Sequence, residues 1–187
     1  MNKAVFLDRD GTINIEKNYL YKVEDFEFIP GAIEGMRMLQ EAGFILVIVT
    51  NQSGIARGYY TEDDFAVLNS WMIDELRENG VDITAIYYCP HLPNATIKKY
   101  SANCDCRKPL TGMYERAVND YDIDLSQSYA IGDKIRDCEV CNKTQCRGFL
   151  VGENESDDII EQTKNGALVG IEYATDLLEA ARKIIGA

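Results

Sequence analysis

No run of eighteen or more apolar residues occurs anywhere in the chain, so it offers no candidate transmembrane helix. Met1-Asn2-Lys3 leads straight into a short apolar segment, with nothing like a signal peptide before it. The expectation is a cytoplasmic protein with no membrane partner. Positive charge is scarce too. Nineteen lysines and arginines face 31 acids, a net charge of −12, which argues against nucleic acid or an acidic membrane surface as a partner. An anionic substrate would have to be held by a few placed cations against that field. There is no internal repeat and no low-complexity linker. At 187 residues the chain has the size of one domain, expected over residues 1–187. Its 46% apolar fraction can fill a core. His91 is the only histidine. In a reducing compartment the six cysteines are expected as thiols or metal ligands rather than disulfides.

What the chain does have begins at Ala4-Val5-Phe6-Leu7, an apolar run that stops at Asp8-Arg9-Asp10-Gly11-Thr12. Four apolar residues bounded by charge read as a buried strand. Residues i and i+2 of an extended chain point the same way, so Asp8 and Asp10 should leave the strand end together. Gly11 permits a sharp turn after them. Paired acids need neutralising, and a hard cation such as Mg²⁺ prefers oxygen ligands. Alone, this motif reads equally well as a solvated acidic turn; its weight depends on what the rest of the chain supplies.

The pattern predicts helices at 32–42, 61–80, 113–121, 135–142, 158–164 and 174–185, and strands at 44–49, 85–88, 128–131 and 149–151. Residues 13–29 mix aromatics and charges and suit a small hairpin or flap. Residues 89–108 form a long loop without helical period. Thr61 with Asp64 three residues on has the form of a helix N-cap. Strands alternating with helices predict an α/β fold, a parallel sheet with helices on both faces. Such sheets bind ligands beyond the carboxyl ends of their strands. The polar residues fall there: Asp8 and Asp10 after the first strand, Thr50-Asn51-Gln52-Ser53 after the second, Asp133 after the fourth. Lys108 precedes the helix that leads into the fourth. Each has a bland alternative. Thr50 or Ser53 could cap a helix, and a lone lysine is usually a surface residue. The joint placement carries the argument.

Taken together, DxDGT, a threonine after the second strand, Lys108 and GDxxxD resemble the four motifs of the haloacid-dehalogenase-like phosphatases. LDRDGTIN, VTNQSGIARG, IYYCPH, CDCRKP and IGDK resemble one branch of them, the heptose 1,7-bisphosphate 7-phosphatases, relatives of the histidinol-phosphate phosphatases. The resemblance implies a Rossmann-like sheet and Mg²⁺-dependent hydrolysis of a phosphate monoester, the 7-phosphate of D-glycero-D-manno-heptose 1,7-bisphosphate. It implies Asp8 as the nucleophile that forms an aspartyl-phosphate, and Asp10 as general acid and base. Mg²⁺ would be held by Asp8, the carbonyl of Asp10, and Asp133. Thr50 and Lys108 would hold the transferring phosphoryl group, and Arg107 would recognise substrate. Glu16, Lys17, Asn18, Tyr19, Asn51, Gln52, Ser53 and Lys134 match substrate-contacting positions of that branch. Asp137 reads as a helix-start residue rather than a direct Mg²⁺ ligand. No long insertion separates the first two motifs, so no large cap domain is expected. The partner would be a small phosphorylated sugar, and the protein is expected to be a monomer.

Cys89-x-His91 and Cys104-x-Cys106 supply three thiolates and an imidazole, the composition of a closed structural Zn²⁺ site. Their one-residue gaps are tighter than the common Cys-x₂₋₄-Cys spacing, and buried free cysteines remain the alternative. The resembled branch binds zinc at this pattern, which implies a zinc-stabilised loop. Cys138-x-x-Cys141 and Cys146 lack a fourth ligand and read as core residues. Two functional classes stay open: a phosphatase, acting on the heptose, on histidinol phosphate or on another sugar phosphate, and a zinc-stabilised interaction module that has kept the fold without the chemistry.

Overall fold

The structure, a computed structural model, describes residues 1–186. Six strands form one sheet: β1 (Ala4–Leu7), β2 (Ile45–Asn51), β3 (Ala85–Cys89), β4 (Tyr129–Gly132), β5 (Arg147–Val151) and β6 (Ile171–Ala174). Every pairing is parallel, in the order β3-β2-β1-β4-β5-β6. The helices are α1 (Ala32–Glu41), α2 (Ser53–Arg57), α3 (Glu62–Glu78), α4 (Gly112–Tyr121), α5 (Ile135–Cys138), α6 (Asp157–Lys164) and α7 (Leu177–Ile185).

The strands are apolar on both sides because both sides are covered. Val5 and Leu7 pack with Met36 and Leu39 of α1, Met72 and Leu76 of α3, and Ala180 of α7. Ala4 and Phe6, one residue out of phase, pack with Met113, Tyr114 and Ala117 of α4. Leu150 of β5 carries that second face on to Ile160 of α6. Each fully buried Val, Leu, Ile, Phe or Met among them contributes about 1.5–3 kcal/mol relative to exposure. Thr61 and Asp64 form the expected reciprocal cap on α3. No large cap domain is inserted between β1 and α1; residues 13–29 are irregular, with a 3-10 turn at Val23–Asp25. Their two ends pair briefly as antiparallel chain, through Ile15 with Glu27 and Ile29 with Ile13.

The structure departs from expectation in four places. Residues 171–174 are the edge strand β6, whereas the pattern began a helix at Ala174. Four residues with Glu172 exposed give no continuous apolar run, and Asp176, accepting from the Glu179 N–H at 2.8 Å, starts α7 later. The helix expected over 135–142 is one α-turn followed by a 3-10 turn at Glu139–Asn142. α2 has only five residues, too few for a period to show. β2 runs on through Thr50 and Asn51, which pair with Tyr88 and Cys89 of β3, so the sheet itself fixes those two residues. Among the described residues no helix is long and apolar enough to cross a membrane.

Candidate active site and a cysteine-histidine cluster

β1 lies between β2 and β4; from β1 the chain builds outward through β2 to β3 on one side, then crosses back to β4 on the other. In this strand order the switch between neighbouring strands opens a crevice at their carboxyl ends. Asp8 follows β1 and Asp133 follows β4, so both acids stand at that crevice. The Asp8 N–H donates to the Ile131 carbonyl at 2.9 Å, which extends the β1–β4 ladder through the residue itself. Carboxylate oxygens of Asp8, Asp133 and Asp137 lie within 4.8 Å of one another.

Lys108 is buried against this cluster. Its ammonium donates to Asp8 Oδ1 at 2.7 Å and to the Val49 carbonyl at 2.6 Å, and pairs with Asp137 Oδ1 at 2.8 Å. Three donors meet three acceptors, which is what a buried lysine requires. Asp137 Oδ1 has no other partner within hydrogen-bond reach, while its Oδ2 accepts from the Lys134 N–H at 3.0 Å. Asp137 thus opens α5, as the sequence suggested, and also anchors Lys108.

Burial pushes Asp8 up to about 8 against the pull of Lys108, with Asp137 and Asp133 adding to the rise. Burial, then Asp137, pushes Asp133 up to about 7. Burial pulls Lys108 down, but Asp137 and Asp8 outweigh it and its pKa is raised. Two buried carboxyls that resist ionisation are suited to a hard divalent cation with oxygen ligands. The turn after Asp10 presses close to the same acids. Gly11 has φ +86°, and a Cβ there would lie 2.2 Å from Asp133 Oδ2. Asn154, just after β5, donates to that oxygen at 3.1 Å.

The Asp10 side chain faces a different set of groups. The Arg9 guanidinium donates to both of its oxygens at 2.9 Å, Gln52 Nε2 to Oδ2 at 2.9 Å and Asn14 Nδ2 to Oδ1 at 3.1 Å. Gln52 Nε2 also donates to Thr50 Oγ1 at 2.9 Å. Asn51 grips the backbone of Lys108: its Oδ1 accepts from the Lys108 N–H at 3.0 Å and its Nδ2 donates to the Lys108 carbonyl at 3.1 Å.

A cavity of about 510 Å³ opens over these groups. Asp8, Asp10, Thr50 and Asp133 line it. So do Glu16, Asn18, Tyr19, Asn51, Gln52, Ser53, Arg107 and Lys134, all picked out from the sequence. Lys17 does not line it; its ammonium pairs with Glu27 at 3.2 Å. Arg57, Tyr60, Arg136 and Asn154 line it as well. Asn154 could have been found from its position after a strand. Arg9 and Tyr60 gave no signal, since neither spacing nor composition marks a residue that acts on another side chain.

The second cluster joins the end of β3 to the loop that follows. Cys89 Sγ lies 3.6 Å from Cys104 Sγ and 3.7 Å from His91 Nδ1, and Cys106 Sγ lies 3.4 Å from the same nitrogen. All four ligand atoms fall within 4.8 Å of one another. A tetrahedron with zinc–sulfur bonds of about 2.3 Å and zinc–nitrogen bonds of about 2.0–2.1 Å has edges of roughly 3.5–3.8 Å, so the four atoms fit that ion. Burial raises the Cys89 and Cys106 thiols. Arg107, next in sequence, donates to the His91 carbonyl at 3.3 Å. Cys138 and Cys146 are buried, with thiols directed at the Phe149 and Ser128 carbonyls at 3.3 Å. With Cys141 they form no metal-ligating group among the described residues.

Residues 105–180 match the HAD-hydrolase-like family. The chain is 52% identical over 181 residues to a D-glycero-beta-D-manno-heptose-1,7-bisphosphate 7-phosphatase of Photorhabdus laumondii, covering 97% of this chain and 96% of that protein. It is 42% identical over 180 residues to the protein of that name from Escherichia coli K12, covering 96% and 94%. Among solved structures it is similar to the D,D-heptose 1,7-bisphosphate phosphatase of B. bronchiseptica, complexed with magnesium and phosphate. The TM-score is 0.80 at 30% identity, over 98% of each chain.

Proposed function

The chain belongs to the D-glycero-beta-D-manno-heptose-1,7-bisphosphate 7-phosphatases, HAD-like phosphatases, and from that premise we propose that it removes the 7-phosphate of this heptose bisphosphate. One observation carries the reading: Asp8, Asp133 and Lys108 converge on the crevice between β1 and β4, and Asp10 lines the cavity above them.

Asp8 Oδ attacks phosphorus, and the bond from phosphorus to the sugar oxygen breaks. That oxygen takes the bond pair and a proton from the Asp10 carboxyl, leaving as an alcohol. Asp10, now a carboxylate, takes a proton from water as the water oxygen attacks the aspartyl-phosphate. The bond from phosphorus to Asp8 breaks, phosphate departs, and Asp10 is again protonated. The Lys108 ammonium, held against Asp8, offsets negative charge on the transferring group through its proximity, and the Thr50 hydroxyl in the cavity donates to a phosphoryl oxygen. Asp8, Asp133 and the Asp10 carbonyl would hold Mg²⁺. Bound there, the ion supplies positive charge that offsets repulsion between an anionic nucleophile and an anionic phosphate. The magnesium in the B. bronchiseptica structure supports this choice.

Substrate contacts would come from Glu16, Asn18, Tyr19, Ser53, Arg107 and Lys134. Asn51 and Gln52 also face the cavity, though their amides are engaged with Lys108, Asp10 and Thr50. Lys17 would need to leave Glu27 to take part. Cys89, His91, Cys104 and Cys106 would hold a structural zinc. Four protein ligands leave that ion no open position for chemistry. One continuous six-stranded sheet gathers the site residues, which supports a single domain over residues 1–187, here proposed to act as a monomer. The enzyme is proposed to act on small sugar phosphates in the cytoplasm, without a nucleic-acid partner, which the net charge of −12 disfavours.

The test is turnover of the heptose 1,7-bisphosphate with Mg²⁺, followed by ³¹P NMR, beside histidinol phosphate and a panel of hexose phosphates. Loss of the 7-phosphate resonance with the 1-phosphate retained is the expected result. A higher kcat/KM on histidinol phosphate would overturn the substrate assignment.

A further inference from the structure

Gln52 stands where the resembled branch touches substrate, yet it is 2% exposed and its amide is already engaged. Its Nε2 reaches Asp10 and Thr50, and its Oε1 accepts from the Tyr60 hydroxyl. An amide with donor and acceptor both taken has a fixed face, and Tyr60 decides which face. Tyr60 in turn is held. Its ring stacks on Tyr21 with centroids 5.5 Å apart. It sits so close to α2 that a Cβ on Gly54 would lie 2.2 Å from the ring. Burial raises its phenol pKa, so the hydroxyl remains a donor.

On the other side of Asp10 lies Arg9, which is fully buried. Its guanidinium spans both Asp10 oxygens and donates onward to the Leu20 carbonyl at 3.2 Å and to Asn69 Oδ1 at 3.4 Å. Asn69 is held by the Phe65 carbonyl at 2.8 Å, and the guanidinium carbon lies 5.5 Å from the Phe65 ring centroid. A planar fork on a carboxylate fixes orientation as well as distance. An arginine buried beside the nucleophile, with its charge committed to the adjacent acid, has no access to substrate.

We propose that Arg9, Gln52 and Tyr60 form a two-sided clamp that positions the Asp10 carboxyl for proton transfer. Arg9 sets its orientation from within the fold, and Tyr60 sets it from the cavity side by fixing the amide face of Gln52. All three are positioning residues. The clamp rests on the reading of Asp10 as general acid and base, and it removes Gln52 from the substrate-binding set.

Leaving-group dependence in the first turnover tests it. An aryl phosphate such as p-nitrophenyl phosphate expels a stable anion without an acid, whereas the heptose bisphosphate must release an alcohol. Returning the aspartyl-phosphate to free enzyme needs Asp10 as a base with either substrate. In Arg9→Lys and Gln52→Leu, first-turnover release of the sugar alcohol should fall about 10²-fold, the scale of a misplacement of about 1 Å. Tyr60→Phe, which deletes one hydroxyl, should lose roughly tenfold by the same argument. First-turnover release of p-nitrophenol by Arg9→Lys and Tyr60→Phe should stay within about threefold of wild type, since it does not need the acid. It should then slow after one equivalent, as phospho-enzyme accumulates.

The size of that burst counts competent sites, so misfolded protein is separated from mispositioned Asp10. Should Arg9→Lys fail to fold, Tyr60→Phe carries the test. Asp10→Asn is the control for the underlying reading. If it shows no preference for the aryl substrate, the acid-base role of Asp10 fails. If it does, and the clamp variants lose both substrates equally or neither, the clamp alone is overturned.

Discussion

The acid cluster and the cysteine-histidine cluster sit on the same crevice side of the chain but are held together differently. Asp8 and Asp133 each follow a strand of one sheet, and Asp137 lies in the first turn of α5. Lys108 is bonded among them with every proton used. In the other cluster Cys89 ends a strand, while His91, Cys104 and Cys106 belong to a loop whose only regular piece is a 3-10 turn at Lys98–Tyr100. Ordering a backbone residue costs about 1–2 kcal/mol, and a structural zinc contributes about 10–16 kcal/mol to folding. The sheet and its hydrogen bonds fix the first cluster, whereas the proposed zinc would order the second. They meet at Cys106-Arg107-Lys108, where a cysteine of one cluster is followed by Arg107, which lines the cavity, and by Lys108 of the other.

Asp8→Asn should have the largest effect. Turnover should fall on the order of 10⁴-fold or more, the scale of removing a covalent nucleophile. Cooperative thermal unfolding should persist, because the sheet and not the acid builds the site. Near-normal turnover in the purified variant would end the nucleophile assignment.

Cys106→Ser comes next. It should lose zinc by elemental analysis and lower kcat about 10²-fold, the scale of misplacing Lys108 by about 1 Å. Excess Mg²⁺ should not restore it. Full activity without zinc would show that Asn51, Asp8, Val49 and Asp137 position Lys108 without help from the loop.

Arg107→Ala is a smaller perturbation. Loss of a charge-assisted contact to the second phosphate should cost roughly 10- to 100-fold in kcat/KM on the bisphosphate, and less on an aryl phosphate. Equal losses would place Arg107 on the reacting phosphate.

The pH effect is the mildest. Asp8 is raised from 3.8 to about 8, and Asp133 from 3.8 to about 7. Above about pH 4 the Mg²⁺-free fold therefore binds more protons than the unfolded chain, and its stability declines as pH rises toward 8. Mg²⁺ must displace those protons, so its affinity should climb between pH 6 and pH 8.5, by at most about tenfold per pH unit for each proton released. Calorimetry in buffers of different ionisation enthalpy counts the protons. Affinity independent of pH would show the acids already ionised.

Much of this was legible in the sequence, for a physical reason. Strand ends are marked by an abrupt change from apolar to polar, as at Leu7-Asp8 and Gly132-Asp133, and parallel sheets gather those ends on one edge. The cluster of Cys89, His91, Cys104 and Cys106 was legible because cysteine and histidine are rare and chemically particular. Edge strand β6 was not, because half-exposed residues break the apolar run. Nor were Arg9 and Tyr60. Both act through Asp10, directly or by way of Gln52, and a contact spanning from Tyr60 to Gln52 leaves no periodic trace.

The contrast between the clusters is tested most directly by removing one ion at a time from wild-type protein and following turnover together with tryptic cleavage at the exposed Lys98 and Lys99. Without Mg²⁺ and with zinc retained, turnover should vanish, the loop should stay protected, and Mg²⁺ alone should restore activity. Without zinc and with Mg²⁺ in excess, the loop should be cut, turnover should fall, and only zinc should restore it. Zinc-free protein that turns over at the full rate with residues 90–108 still protected would contradict the account.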